Sequence, residues 1–140
     1  MISNETQPLR LQLSTITTCR RFIPAHQMAF ILELCRESEE REFFVQRLID
    51  LEALFQAMPQ TGETDGQGDA AIVQLHYFGR ASDWYITERD MEFAQYQAWG
   101  LARMQCEELG YISIVDLCRS PHVEIDLHWT PKTIGECRKG

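Results

Sequence analysis

The residues best suited to chemistry lie near the C-terminal end, at Glu124, Asp126 and His128. They alternate with Val123, Ile125, Leu127 and Trp129, so an extended strand would line up the polar set on one face and the apolar set on the other. Two carboxylates and an imidazole on one surface could hold a divalent cation or share general acid–base work. His76 and Glu88 belong to an earlier alternating stretch, and they would join the cluster if that stretch lay beside the last strand. Those five residues would suit a small metal-dependent hydrolase. A solvated strand face explains the same pattern and outweighs it, because clustered titratable groups mark functional sites only statistically. A nuclease of the D…E-x-K type fits less well. Glu124-Ile125-Asp126 has an acid where the lysine belongs, and Lys132 lies beyond Pro131.

Nucleophilic chemistry has less support. Cys118 and His122 are close in sequence, but a thiol nucleophile needs an imidazole held against it. With Pro121 in the turn they build no known elbow, and a small buried thiol is the plainer account of Cys118. Neither G-x-S-x-G nor H-E-x-x-H occurs. Gly62, Gly66 and Gly68 match neither the Walker pattern nor G-x-G-x-x-G, and no lysine stands beside them. No cofactor is expected. Tyr77, Phe78, Trp84, Tyr85, Trp99 and Trp129 are dense for one sheet. On a basic chain they could stack bases. Here they read as core residues, with Tyr77, Trp84, Tyr85, Trp99 and Trp129 as candidate anchors of a protein interface.

The elements that must position these groups centre on a hairpin. Residues 71–78 and 84–88 alternate around Gly79-Arg80-Ala81-Ser82-Asp83, the pattern of two half-buried strands. Val73, Leu75 and Tyr77 fall on one face, Gln74 and His76 on the other. Upstream, Pro24 predicts the first turn of a helix over 25–36. Ser38 is a good N-cap for a second helix ending near Met58, whose Phe44, Leu48, Leu51 and Phe55 form an apolar stripe. That stripe suits a core, or the seam of a homodimer joined through the 38–58 helix. Residues 59–69 predict a flexible linker. The spacing of Leu9, Leu11 and Leu13 predicts a short N-terminal strand, and the 1–24 segment has no legible role.

After a polar turn over 89–92, residues 94–104 predict a third strand, with Gly100 at a bulge or a close packing contact. Residues 110–112 predict a short strand. Ser113 with Asp116 predicts a capped short helix. Residues 123–129 then predict the last strand, and Thr130-Pro131 the start of a final helix. Helices first and strands afterwards predict an α+β fold. A helical pair would pack on a mostly antiparallel sheet of about four strands, followed by short C-terminal helices. The chain reads as a single domain with a helical half (1–58), the linker (59–69) and a sheet-rich half (70–140).

A chain of 140 residues can bury its own core without disulfides or metal. The formal net charge of −8 argues against a general nucleic-acid binder, since phosphate contacts need clustered Lys and Arg. It is compatible with a basic protein partner, and with solubility alone. The five cysteines are widely spaced with no C-x-x-C pair, as expected of reduced thiols in a cytosolic protein. No apolar run has the length of a signal peptide or membrane span. A cytoplasmic protein without membrane contact is therefore expected.

Five stretches carry a resemblance. They are His76-Tyr77-Phe78, Asp83 to Glu88 (DWYITE), Gln97 to Leu101 (QAWGL), Glu108 to Ser113 (ELGYIS) and Glu124 to Lys132 (EIDLHWTPK). In this order, over about residues 71–135, they resemble an uncharacterised family of small bacterial proteins encoded on plasmids, phages and other mobile elements. The stretch between Glu88 and Gln97 departs from the family, where relatives often carry a more acidic loop. The resemblance implies a mobile-element accessory protein and no particular activity. Three readings follow. The first is a non-catalytic acidic module that binds a protein, such as a host nucleic-acid-handling or defence protein that it would inhibit. The second is the metal-dependent hydrolase, and the third a dimeric structural accessory.

Overall fold

The computed structural model describes residues 14–90 and 97–139. Helices come first: α1 (Cys19–Phe22), α2 (Ala25–Glu37) and α3 (Arg41–Ala57). Pro24 stands at the N-cap of α2, where its missing N–H costs nothing. Ser38 closes α2 instead of opening α3, and its hydroxyl accepts a hydrogen bond from the Glu40 N–H. Of the expected stripe on α3, Leu48, Leu51 and Phe55 are buried, Phe44 packs at the margin, and Phe55 stacks on Phe22 at 5.1 Å. Each such buried side chain contributes roughly 1.5–3 kcal/mol. The side chains that could have formed a dimer seam are thus already inside the chain's own core.

The strands are β1 (Ile72–Val73), β2 (Leu75–Gly79), β3 (Ser82–Asp90), β4 (Gln97–Arg103), β5 (Glu107–Ser113), β6 (Glu124–Ile125) and β7 (Lys132–Thr133). Two short helices, α4 (Ile114–Arg119) and α5 (Ile134–Lys139), complete the fold. The main sheet is antiparallel, has five strands instead of about four, and runs β5-β4-β3-β2-β6. The fold is α+β. One sheet face carries Leu75, Tyr77, Ile86, Ala98 and Ile112 into the core shared with the helices. The other carries Tyr85 and Leu101 into a smaller core with Ala71, Val73, Ile134 and Cys137. Among the described residues no helix is long and apolar enough to cross a membrane.

The apolar run that begins the hairpin breaks at Gln74, so Val73 enters the smaller core and Leu75 the larger. The turn is a two-residue loop in which Arg80 and Ala81 both have positive φ, 48° and 63°. Such loops match the strand twist but favour Asn and Gly. Ala81→Gly is therefore expected to stabilise the protein by about 0.5–1 kcal/mol, the left-handed strain relieved less the extra chain entropy of glycine. Urea denaturation would measure it, and a loss of stability would contradict the reading.

Four local expectations change. The expected turn over 89–92 does not include Arg89 and Asp90, which extend β3, while residues 91 and 92 lie outside the described residues. Arg89 is buried with its N–H on the Pro59 carbonyl and Nη2 on the Gln56 carbonyl. The expected strand over 123–129 stops at Ile125. There the Asp126 carboxylate accepts the His128 N–H at 2.9 Å, a side-chain turn that competes with the ladder. Thr130-Pro131 does not open the last helix. Lys132–Thr133 pairs with Ile72–Val73, and Thr133 and Glu136 form a reciprocal capping box for α5. The 59–69 loop is tied to the sheet by bonds from Gly62 and Thr64 to Glu88. The alternation at Leu9, Leu11 and Leu13 lies outside the described residues.

Candidate functional site

The five polar candidates do not form one site. His76 lies on the sheet face of the smaller core, between two carboxylates. Its Nε2 donates to Asp83 Oδ1 at 2.7 Å, and Nδ1 lies 3.6 Å from Asp126 Oδ2. The ring stacks on Tyr85 at 4.8 Å and contacts Trp129 at 5.0 Å. The ring is thus held by the Nε2 bond to Asp83 and by its aromatic neighbours, while Nδ1 is buried without a hydrogen-bond partner among the described residues, with the Asp126 carboxylate at 3.6 Å. Asp83 was not among the expected residues. Its signal was the hairpin register, which puts His76 opposite Tyr85 and Asp83 opposite Phe78 on the same face.

Glu88 belongs elsewhere. It is buried, and its carboxylate accepts the Gly62 N–H at 2.8 Å, the Thr64 N–H at 2.9 Å and the Thr64 hydroxyl. It serves the loop as an anchor. Glu124 and His128 are exposed, and of the three polar candidates of the last stretch Asp126 lies beside His76. Among the described residues no three or more His, Cys, Asp or Glu side chains are grouped to hold a metal ion. Cys118 does not meet His122. Burial pushes its thiol up to about 12, and Sγ donates to the Arg21 carbonyl. His122 Nε2 instead lies 2.6 Å from Arg80 Nη2.

The aromatic candidates also divide. Tyr77 is fully buried, and its hydroxyl donates to the Phe22 carbonyl, so it is a core residue and no surface anchor. Tyr85 is buried in the smaller core. Trp129 is half-buried there, its Nε1–H on the Val73 carbonyl at 2.9 Å. Trp84 and Trp99 remain partly open and lie toward the β5 end of the sheet. Trp99 meets Tyr111 edge to face at 5.1 Å.

That end holds a groove of about 450 Å³. Trp84, Ala102, Gly110 and Ile112 form part of its lining, with Leu117 of α4. The fold gives each a reason to be there. Trp84, Ala102 and Glu108 are cross-strand partners on one face, and Ser113 accepts the Asp116 N–H at 3.2 Å to start α4 beside them. Gly110 leaves the lining open, since a Cβ there would meet nothing within 4 Å. Met104, Leu109 and Tyr111 are exposed around it, Tyr111 by 64%. Glu108 and Asp116 complete the lining, and neither has a cationic partner within salt-bridge distance among the described residues. Sequence reasoning missed this site except for Trp84. Tyr111 and Leu109 look like ordinary strand residues until β5 is known to be an edge.

No family model matches the chain, and no curated protein and no solved structure matches it. The resemblance to the mobile-element family accordingly rests on its five sequence stretches.

Proposed function

We propose that this chain is a non-catalytic, acidic protein-binding module that engages a basic segment of a partner protein at the β5 end of its sheet. The observation that carries the reading is the groove, which Trp84, Met104 and Leu117 line together with Glu108 and Asp116, two carboxylates with no cationic partner among the described residues, while Leu109 and Tyr111 stand exposed on the other face of the same edge strand. Apolar and aromatic side chains in a concavity supply contact area, and like-signed charge at the rim selects a partner of opposite sign and speeds its approach. The net charge of −8 acts in the same direction. Proteins that handle nucleic acid carry such basic segments, which fits a mobile-element accessory protein acting on a host or element-encoded partner. The dispersal of His76, Glu88, Glu124, Asp126 and His128 gives the hydrolase reading no comparable support.

The test is calorimetry with extended Lys-rich peptides and their Glu-substituted counterparts. The Lys peptides should bind, weaken with salt, and lose roughly tenfold or more in affinity on Glu108→Lys combined with Asp116→Asn. Phe30→Ser, at an exposed apolar residue of α2, should change nothing. Equal binding of Lys and Glu peptides would overturn the reading.

A further inference from the structure

The two edges of the main sheet are treated differently by the rest of the chain. The β6 edge is closed by α2. Gln27 Nε2 donates to the Ile125 carbonyl at 2.9 Å, its Oε1 accepts the Ile125 N–H at 2.8 Å, and His26 Nε2 lies 2.7 Å from the Val123 carbonyl. One buried amide thus takes the place of a neighbouring strand. Among the described residues the β5 edge has no such cover. It is last in the strand order, and among the described residues no strand, helix or loop pairs with its outer side. It is seven residues long, Glu107–Ser113, and is paired along its whole inner side with β4.

A long open edge is a template for another strand, and folded proteins usually blunt or cover it. Here the edge borders the groove, and this position decides what it can accept. We infer that the partner segment binds as an added β-strand along β5, an inference that rests on the proposed binding function. Backbone pairing supplies affinity, and alternate side chains supply selection. On the groove side a neighbouring strand would place successive side chains beside Glu108, Gly110 and Ile112, along the groove that Asp116 also lines. Cross-strand neighbours favour opposite charges and matched apolar pairs. The segment therefore carries basic residues flanking one bulky apolar residue, which fills the space that Gly110 leaves. On the opposite face its side chains lie beside Leu109 and Tyr111, which favour apolar or β-branched partners.

A second copy of this chain is the other natural occupant of an open edge. Each copy has a net charge of −8, and β5 contributes Glu108, whereas Glu107 is already paired with Arg103 and Arg138, so two copies repel through their net charge. The charge complementarity selects a basic segment of a different protein.

The probe is the acetylated, amidated peptide Thr-Lys-Val-Leu-Val-Lys-Thr, whose symmetric pattern fits β5 in either direction. The control is the same peptide N-methylated at the central Leu and the following Val, which removes a donor from each edge. The unmodified peptide should bind the full chain, the methylated one roughly tenfold or more weakly, and Gly110→Val should reduce binding of the unmodified peptide by filling the groove. Equal affinity for the two peptides would overturn strand addition while leaving the acidic binding reading intact. No binding of either, or equal binding of a Glu-for-Lys version, would bring down the binding reading and this inference together. A dimer in light scattering that Gly110→Val dissolves would assign the edge to a second copy and overturn the proposal.

Discussion

Gly100→Ala is expected to cost about 3 kcal/mol, near the upper end for overpacking a well-filled interior, and to lower the melting temperature by roughly 10 °C. The reason is local. A Cβ on Gly100 would lie 1.9 Å from the Tyr85 carbonyl oxygen and 2.9 Å from the Ile86 Cα, so backbone would have to move. The crowding comes from a bulge. Ile86 pairs with Gly100 but Glu88 pairs with Trp99, which leaves Thr87 as an extra residue in β3, its hydroxyl on the Trp99 carbonyl at 3.2 Å. Gly110 stands opposite Gly100 in the ladder and meets nothing. Gly110→Ala is therefore expected to be neutral or stabilising by up to about 0.5–1 kcal/mol, since alanine loses less chain entropy on folding. Thermal melts of the two variants side by side make the comparison. Equal destabilisation would contradict the close approach at β3.

Glu52→Gln is expected to cost about 2 kcal/mol at pH 7, the range for losing the charge from a set of hydrogen bonds to a buried ion. Glu52 is buried on α3, and its carboxylate accepts the Cys19 N–H at 2.9 Å, the Thr18 N–H at 3.2 Å and the Gln56 amide. It satisfies N–H groups where α1 begins, which α1 cannot satisfy itself. Burial pushes the Glu52 carboxyl up, but the donors from Cys19, Thr18 and Gln56 together outweigh it and hold the group below the ordinary value of 4.5. The sign follows. A carboxylate depressed in the folded state contributes its full stability above the unfolded value and loses it as pH falls through the folded one. The gap between wild type and Glu52→Gln should thus be largest at neutral pH and shrink below about pH 4.5. Denaturant unfolding at a series of pH values reads this directly. A gap that does not change with pH would contradict a charged Glu52.

The features legible in the sequence were those set by neighbours along the chain. The β2–β3 hairpin, the Ser113 cap of α4 and the close contact at Gly100 each rest on a few adjacent residues, and each is present. Alternation placed Tyr77 beside Leu75, but it could not say what covers that face, and helices cover it. Asp126 looked like one member of a polar strand face. Its side chain instead captures the His128 N–H and ends the strand, a competition invisible to a period-two pattern. The Thr133–Glu136 box was written in the sequence but masked by Thr130-Pro131, an equally good helix start. Gln27 sits in a helix and gave no hint that it seals a strand 98 residues away. The binding groove was illegible for the same reason, because an edge is a property of strand order.

The central claim is that the β5 end of the sheet is a binding surface for a basic segment. Its most direct test is a backbone amide NMR titration of the full chain with the Lys-Val-Leu-Val-Lys peptide. The perturbed amides should concentrate in Glu107–Ser113, with Trp84, Ala102 and Asp116 beside them, and the outer amides of β5 should become protected from exchange. Perturbation centred on the exposed Phe30 and Phe43 of the helical half, or around His76, with β5 unchanged, would contradict it.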